Sequence, residues 1–136
     1  MTDAVTVLRG VPLFAELPES DLMRIAARAR LEDVTAGTEV IREGTPSDAL
    51  YVVDRGELAV TKRGHALNTC GPGDLLGELG VLEGRPRTAT VTARTDARLV
   101  VVEVAAIHDL LRASPTAALA ILRTMATRLG NTEAVL

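Results

Sequence analysis

Aromatic residues are nearly missing from this chain: Phe14 and Tyr51 are the only two, and tryptophan is absent. Any core must therefore be aliphatic, and a 47% hydrophobic content over 136 residues supplies enough side chains for one buried domain. Cys70 is the sole cysteine, so no disulfide can close within the chain, and a reducing, cytoplasmic compartment is the expectation. Nothing basic adjoins Cys70 in sequence, which makes it a small buried hydrophobe rather than a reactive thiol. Histidine is as scarce. His65 and His108 have no partner at metal-ligand spacing, which argues against the metal-dependent chemistry of small β-barrel enzymes and for solvated surface residues. A net charge of −3 without a basic tail argues against nonspecific nucleic-acid binding. No run is long and apolar enough to cross a bilayer, and the start, Met1 to Val5, lacks the basic and apolar regions of a signal peptide.

What the chain does have is concentrated between Gly71 and Val91, where glycines, one basic pair, acids and small polar residues interrupt ordinary strand and helix patterns. Gly77 precedes the apolar run Leu79 to Leu82, long enough for a short helix whose first N–H groups lack partners within it and attract an anion. Gly77 and Gly80 carry no side chain to block close approach of a phosphate. Arg87 arrives from the far side after Pro86, and its planar fork matches two phosphate oxygens. Thr88 and Ala89 are expected to continue as strand, small enough to leave room for a ligand. Glu78 conflicts with a bare phosphate, because like charges so close repel by several kcal/mol unless offset. A ligand with hydroxyls beside its phosphate resolves the conflict. The pattern therefore points to a sugar phosphate or nucleotide.

The residues Gly77-Glu78-Leu79-Gly80, then Gly84, then Pro86-Arg87-Thr88-Ala89-Thr90-Val91 resemble the phosphate-binding cassette of cyclic nucleotide-binding domains, found in kinase regulatory subunits, gated channels and the catabolite activator protein. The resemblance covers nearly the whole chain. It implies that Glu78 takes the ribose 2′-hydroxyl, that Arg87 takes the cyclic phosphate, and that the backbone at Gly77, Thr88 and Ala89 completes the phosphate shell, with Leu79 and Gly80 in the same ligand-binding set. It also implies cAMP as ligand, with cGMP tolerated if the Thr88 hydroxyl reaches a syn guanine; as a plain strand threonine, Thr88 would need no such role. Arg85 has no phosphate-binding counterpart in the pattern and reads as a surface residue or a partner for Glu83. A bare Glu78–Arg87 salt bridge that only closes the loop is the structural alternative.

Around the cassette, residues Val5 to Arg30 read as helical, with Pro18 as a start signal and Ser20 as cap of a helix Asp21 to Arg30 whose Leu22, Ile25, Ala26 and Ala29 share a face. Arg24, Arg28 and Arg30 form its solvated side. Strands are expected at Leu31–Thr35, Glu39–Arg42, Ala49–Asp54, Glu57–Lys62, His65–Thr69, Thr88–Ala93 and Arg98–Val104, separated by glycine turns. Ala105 to Ala113 reads as a helix; Ser114 caps a second one beginning at Pro115, with Leu119, Leu122, Ala126 and Leu129 as its apolar stripe and Gly130-Asn131 as its stop.

The expected fold is mainly β with flanking helices: a double-stranded β-helix or jelly-roll barrel at 31–104 holding the cassette 77–91, an N-terminal helical segment at 1–30, and C-terminal lid helices at 105–136, all one domain. The expected function is a cyclic nucleotide sensor without catalysis or catalytic cofactor. Ligand would move the last helix as a lid, with Arg123, Arg128, Leu129 and Val135 as candidates to cap the base, and the effector would be an unidentified partner protein or domain. No helix-turn-helix follows the lid, so direct DNA recognition by this chain is not expected. The second reading is an interaction domain that keeps the fold, binds no nucleotide and forms a homodimer through its last helix. Arg87 is expected to lie peripheral to the core.

Overall fold

The structure, a computed structural model, describes residues 3–77 and 84–132, with side chains as far as 127. Three short helices come first: α1 (Ala4–Arg9), α2 (Pro12–Ala15) and α3 (Glu19–Ala27). Eight strands follow: β1 (Arg30–Val34), β2 (Glu39–Ile41), β3 (Ala49–Arg55), β4 (Leu58–Lys62), β5 (His65–Cys70), β6 (Leu75–Leu76), β7 (Thr90–Ala93) and β8 (Ala97–Glu103). Helices α4 (Val104–Ala113) and α5 (Pro115–Thr132) close the described chain. The strands form two four-stranded antiparallel sheets, ordered β1-β8-β3-β6 and β2-β7-β4-β5, the jelly-roll layout that the resemblance implied.

Strand alternation divides the interior into two cores. In β3, Leu50 and Val52 point to one face of the sheet and Ala49 and Val53 to the other, as the two-residue period requires. Leu50 and Val52 join Val100 and Val102 of β8, and pack against Leu8, Phe14, Ile25 and Ile107 of the helices. Val53, Leu99 and Val101 face the second sheet and meet Val34, Ile41, Leu58 and Val91. Because β3 and β8 are covered on both sides they read as nearly continuous apolar runs, whereas β5, at a sheet edge, is exposed until Cys70.

Several element boundaries differ from the sequence expectation, each for a local reason. The helical stretch is cut into three by turns at Gly10 and Leu17, and α3 begins at Glu19 with Pro18, not Ser20, at its cap position. The Pro18 carbonyl accepts from Asp21 N and Leu22 N at 2.9 and 3.0 Å, so no serine cap is required. Arg30 leaves the helix because it pairs with Val101 in the β1–β8 ladder. Strand β7 starts at Thr90 rather than Thr88, since the preceding residues are bonded to the β2–β3 loop instead. The two-residue β6, too short for an apolar pattern to reveal, pairs with Tyr51 and Val52. Helix α5 runs through Gly130-Asn131 to Thr132.

Of the apolar stripe expected on α5, Leu119, Leu122 and Ala126 are exposed, and the Leu129 side chain lies outside the described residues. Leu119 and Leu122 are 46% and 64% exposed, while Ala117, Ala120 and Ile121 are buried against the helical core. Ala117 and Ala120 lack γ atoms, so the helix approaches its neighbours closely on that side. Several surface arginines are ion-paired: Arg28 donates to Asp109 at 2.6 Å, Arg9 to Glu19 at 2.7 Å, Arg30 to Glu103 at 2.7 Å and Arg98 to Asp33 at 2.8 Å.

Two predictions follow from this packing. Phe14→Ala should lower unfolding free energy by about 3–5 kcal/mol and Leu122→Ala by less than about 0.5 kcal/mol, read from urea midpoints at constant slope. Hydrogen bonds from arginine hold the Asp33, Glu19 and Asp109 carboxyls below their ordinary values. The unfolded chain therefore binds those protons at higher pH than the native one. Their contribution is complete above the unfolded values and is lost as pH falls through the lower folded ones, so the melting temperature should hold down to about pH 5 and decline below about pH 4. Asp109→Asn should flatten that acid decline in part.

Candidate functional site

Arg87 is the buried cation of the described chain, with 7% of its surface exposed. Its backbone is fixed by the loop between β2 and β3: Arg87 N donates to Thr45 O and Gly44 N donates to Arg87 O, both at 2.8 Å. Ser47 Oγ donates to the Arg85 carbonyl, and Glu43 N donates to Thr90 Oγ1 at 3.2 Å. Residues 85–90 are thus laced to 43–47, and Pro86, which has no N–H to satisfy, sits exposed between two bonded residues. That pairing turns the Arg87 side chain inward.

Inside, Nη2 donates to the carbonyl of Ala49 at the start of β3, and Nη1 donates to the carbonyl of Gly77 at 3.4 Å. Asp48 Oδ1 lies 3.5 Å from Nη2, on a side chain that is 79% exposed. The guanidinium carbon stands 5.9 Å from the centre of the Tyr51 ring, within the range of a cation–π contact. Burial, and next the charge of Asp48, push the Tyr51 hydroxyl pKa up. A cavity of about 380 Å³ borders the guanidinium on this side, among Arg42, Thr45, Asp48 and Tyr51.

Gly77 explains itself in this geometry. Its φ is +83°, a conformation that side chains resist, and a Cβ there would overlap Arg87 Nη1. Gly77 and Arg87 are therefore brought together as expected from sequence. Thr88 is exposed and Ala89 half-buried, and neither belongs to a strand, which corrects that expectation. Glu78, Leu79 and Gly80, with the short helix expected at Leu79–Leu82, lie outside the described residues.

Arg87 is not peripheral, contrary to expectation. Its fork joins the start of β3 to the end of the β6 segment. The sequence reading also missed Asp48, Tyr51 and the Ala49 carbonyl. One signal was available: Tyr51 is the only tyrosine, and it falls at an inward position among Ala49, Leu50, Val52 and Val53 of β3. The Ala49 carbonyl left none, since backbone acceptors are not written in residue types.

Cys70 is buried, and burial, followed by Asp74, raises its thiol pKa, which suits a packing residue rather than a nucleophile. His65 and His108 are exposed. Among the described residues, no three His, Cys, Asp or Glu side chains gather as a metal site, and no helix is long and apolar enough to cross a membrane.

A two-sheet jelly roll that carries a buried, backbone-anchored arginine in a glycine-flanked loop is the framework of a ligand-binding module. The chain belongs to the cyclic nucleotide-binding domain family: the model of that family, "Cyclic nucleotide-binding domain", matches residues 31–114. Over 129 residues, 94% of this chain, it is 36% identical to an uncharacterised NTE family protein of Mycobacterium tuberculosis, and covers 22% of that protein. Over 90 residues, 65% of this chain, it is 40% identical to a cAMP-dependent protein kinase regulatory subunit of Yarrowia lipolytica, and covers 24% of it. The chain thus spans under a quarter of the length of these curated relatives. Among solved structures, the N-terminal domain of a transcriptional regulator from Streptomyces coelicolor superposes with a TM-score of 0.83 at 35% identity, over 93% of this chain and 94% of that one. The regulatory domain of Toxoplasma gondii PKA, solved with cAMP, gives a TM-score of 0.75 at 33% identity over 79% and 42%.

Removing the Arg87 side chain should leave the Ala49 and Gly77 carbonyls without their donor. Arg87→Ala is expected to cost about 1–3 kcal/mol of stability in urea unfolding, and Gly77→Ala to displace the guanidinium with a loss of similar size. Equal stability of both variants and the parent would contradict the anchoring described.

Proposed function

We propose that this chain is a sensor that binds cAMP, with cGMP tolerated, and passes the binding event on through its last helix. Arg87 takes the cyclic phosphate, the Gly77, Thr88 and Ala89 backbone completes the phosphate shell, Leu79 and Gly80 line it, and Glu78 accepts the ribose 2′-hydroxyl. The observation that carries this reading is the Arg87 guanidinium itself. Among the described residues, its partners are two neutral carbonyls, the Tyr51 ring face and one solvent-exposed carboxylate, which is little compensation for a buried cation. A phosphate matches it in charge and in fork geometry. The kinase regulatory relative and the cAMP-bound Toxoplasma structure support cAMP as the first ligand to test. Thr88, exposed beside Arg87, supports the tolerance of cGMP.

The domain works by binding rather than by catalysis. Residues 1–30, 31–104 and 105–136 act as one unit, with 77–91 as the ligand loop and α5 as the lid over the base. A shared helix face, Leu119 and Leu122, offers an apolar strip to the protein or domain that receives the signal. A cyclic nucleotide messenger implies a cytoplasmic setting.

Calorimetric titration with cAMP and cGMP tests the proposal, and heat from neither at millimolar concentration would favour the interaction-domain alternative. Arg87→Ala should weaken binding by about 2–4 kcal/mol through loss of a charge-assisted fork. Glu78→Ala should weaken it by about 1–3 kcal/mol and erase most of the preference for cAMP over 2′-deoxy-cAMP. An Arg87→Ala chain that binds as tightly as the parent would sink the assignment.

A further inference from the structure

Asp21 is, with Arg87, one of the two buried charged residues among the described ones, 6% exposed, and none of the chemistry above uses it. It sits in the first turn of α3, where its Oδ2 accepts a hydrogen bond from Ser114 Oγ at 2.8 Å, across 93 residues of sequence. Its Oδ1 meets Arg24 only at 3.9 Å, through a side chain that is 60% exposed. Ser114 is the residue before α5, and the same hydroxyl oxygen accepts from Ala117 N at 3.1 Å. One hydroxyl thus caps α5 and ties it to a buried carboxylate of α3. At the other end of α3, Arg28 holds α4 through Asp109 at 2.6 Å. The α4–α5 corner is fastened to α3 at two points.

Beyond that corner the packing of α5 thins. Ala117, Ala120 and Ile121 are buried, Thr124 and Met125 half-buried, and Ala126 and Thr127 exposed. A groove of about 710 Å³ separates this far half, at Arg123, Thr124 and Thr127, from the α1–α2 corner at Gly10, Pro12 and Glu16. A helix held hard at one end, with open space beneath the other, has its direction set at the held end.

We propose that Asp21 is a positioning residue for α5, acting through Ser114: the buried carboxylate fixes the pivot and direction of the helix, and so governs how well that helix retains nucleotide. The retention half rests on the lid reading given above; the pivot half does not. A plain capping role for Ser114 would need no Asp21, and the two can be separated by chemistry. Ser114→Asp keeps a strong helix cap but cannot donate to Asp21, and it sets two carboxylates against each other. Adding Asp21→Asn supplies an amide donor to the introduced carboxylate and restores the link in reverse.

The test measures amide hydrogen exchange over residues 118–127 and cAMP affinity for the parent, Ser114→Asp, Asp21→Asn and the double variant. In Ser114→Asp, exchange along α5 should quicken by about tenfold or more while strands β3 and β8 stay protected, and cAMP affinity should drop by about tenfold. The double variant should return both to within about threefold of the parent, and Asp21→Asn alone, which still accepts from Ser114, should change little. If Ser114→Asp does not fold, Asp21→Ala, which keeps the cap and removes the link, is scored in its place. Unaltered α5 exchange, or a folded double variant that fails to recover, overturns the pivot. Quickened exchange with unchanged cAMP affinity overturns the retention half. A parent that binds no nucleotide overturns the lid reading, and the exchange arm then decides the pivot alone.

Discussion

Holding a guanidinium inside a protein is costly, and the arrangement around Arg87 is organised by that cost. The side chain reaches its place only because residues 85–90 are laced to 43–47, because Gly77 has no Cβ, and because the Ala49 carbonyl is turned toward it at the mouth of β3. Two carbonyls, a half-buried tyrosine face and an exposed carboxylate offset part of the desolvation. The chain belongs to the cyclic nucleotide-binding domain family, and Arg87 falls inside the stretch that the family model matches.

The same strand that receives Arg87 also supports the helices. Ala49, whose carbonyl takes the guanidinium, is followed by Leu50 and Val52, which pack among Phe14, Ile25 and Ile107. Arg87 and the helical layer thus both contact one strand, β3, which is covered on both faces. With only two aromatic residues in the chain, their positions matter: Phe14 fills the helical core and Tyr51 flanks the site. Packing of aliphatic β-branched residues on β3 and β8 makes a stiff partition between them.

How much of this the sequence discloses depends on what each feature is made of. Short β-prone runs cut by turn residues mark seven of the eight described strands, and the cassette pattern marks Gly77 and Arg87 together. Strand β6 escaped because two residues carry no period, and Ser20 was mistaken for a cap because a proline carbonyl did that work. On α5 the spacing of Leu119 and Leu122 shows a stripe, and the structure leaves those two residues exposed. The helix has two apolar faces, and the face with the smaller side chains packs closest. The Ala49 and Asp48 partners of Arg87 and the Ser114 partner of Asp21 come from distant segments, so no local pattern could name them. A hydrogen bond between residues 21 and 114 exists only once the fold does.

The central claim is that the Arg87 guanidinium is the group that takes a nucleotide's phosphate. Nitrogen-15 spectra of the arginine Nε–H groups during cAMP titration test it most directly. A single large, saturable displacement of the Arg87 resonance, following the same binding curve as calorimetry and absent in Arg87→Lys, is the result this structure predicts. Binding of cAMP with the Arg87 resonance unmoved would contradict it.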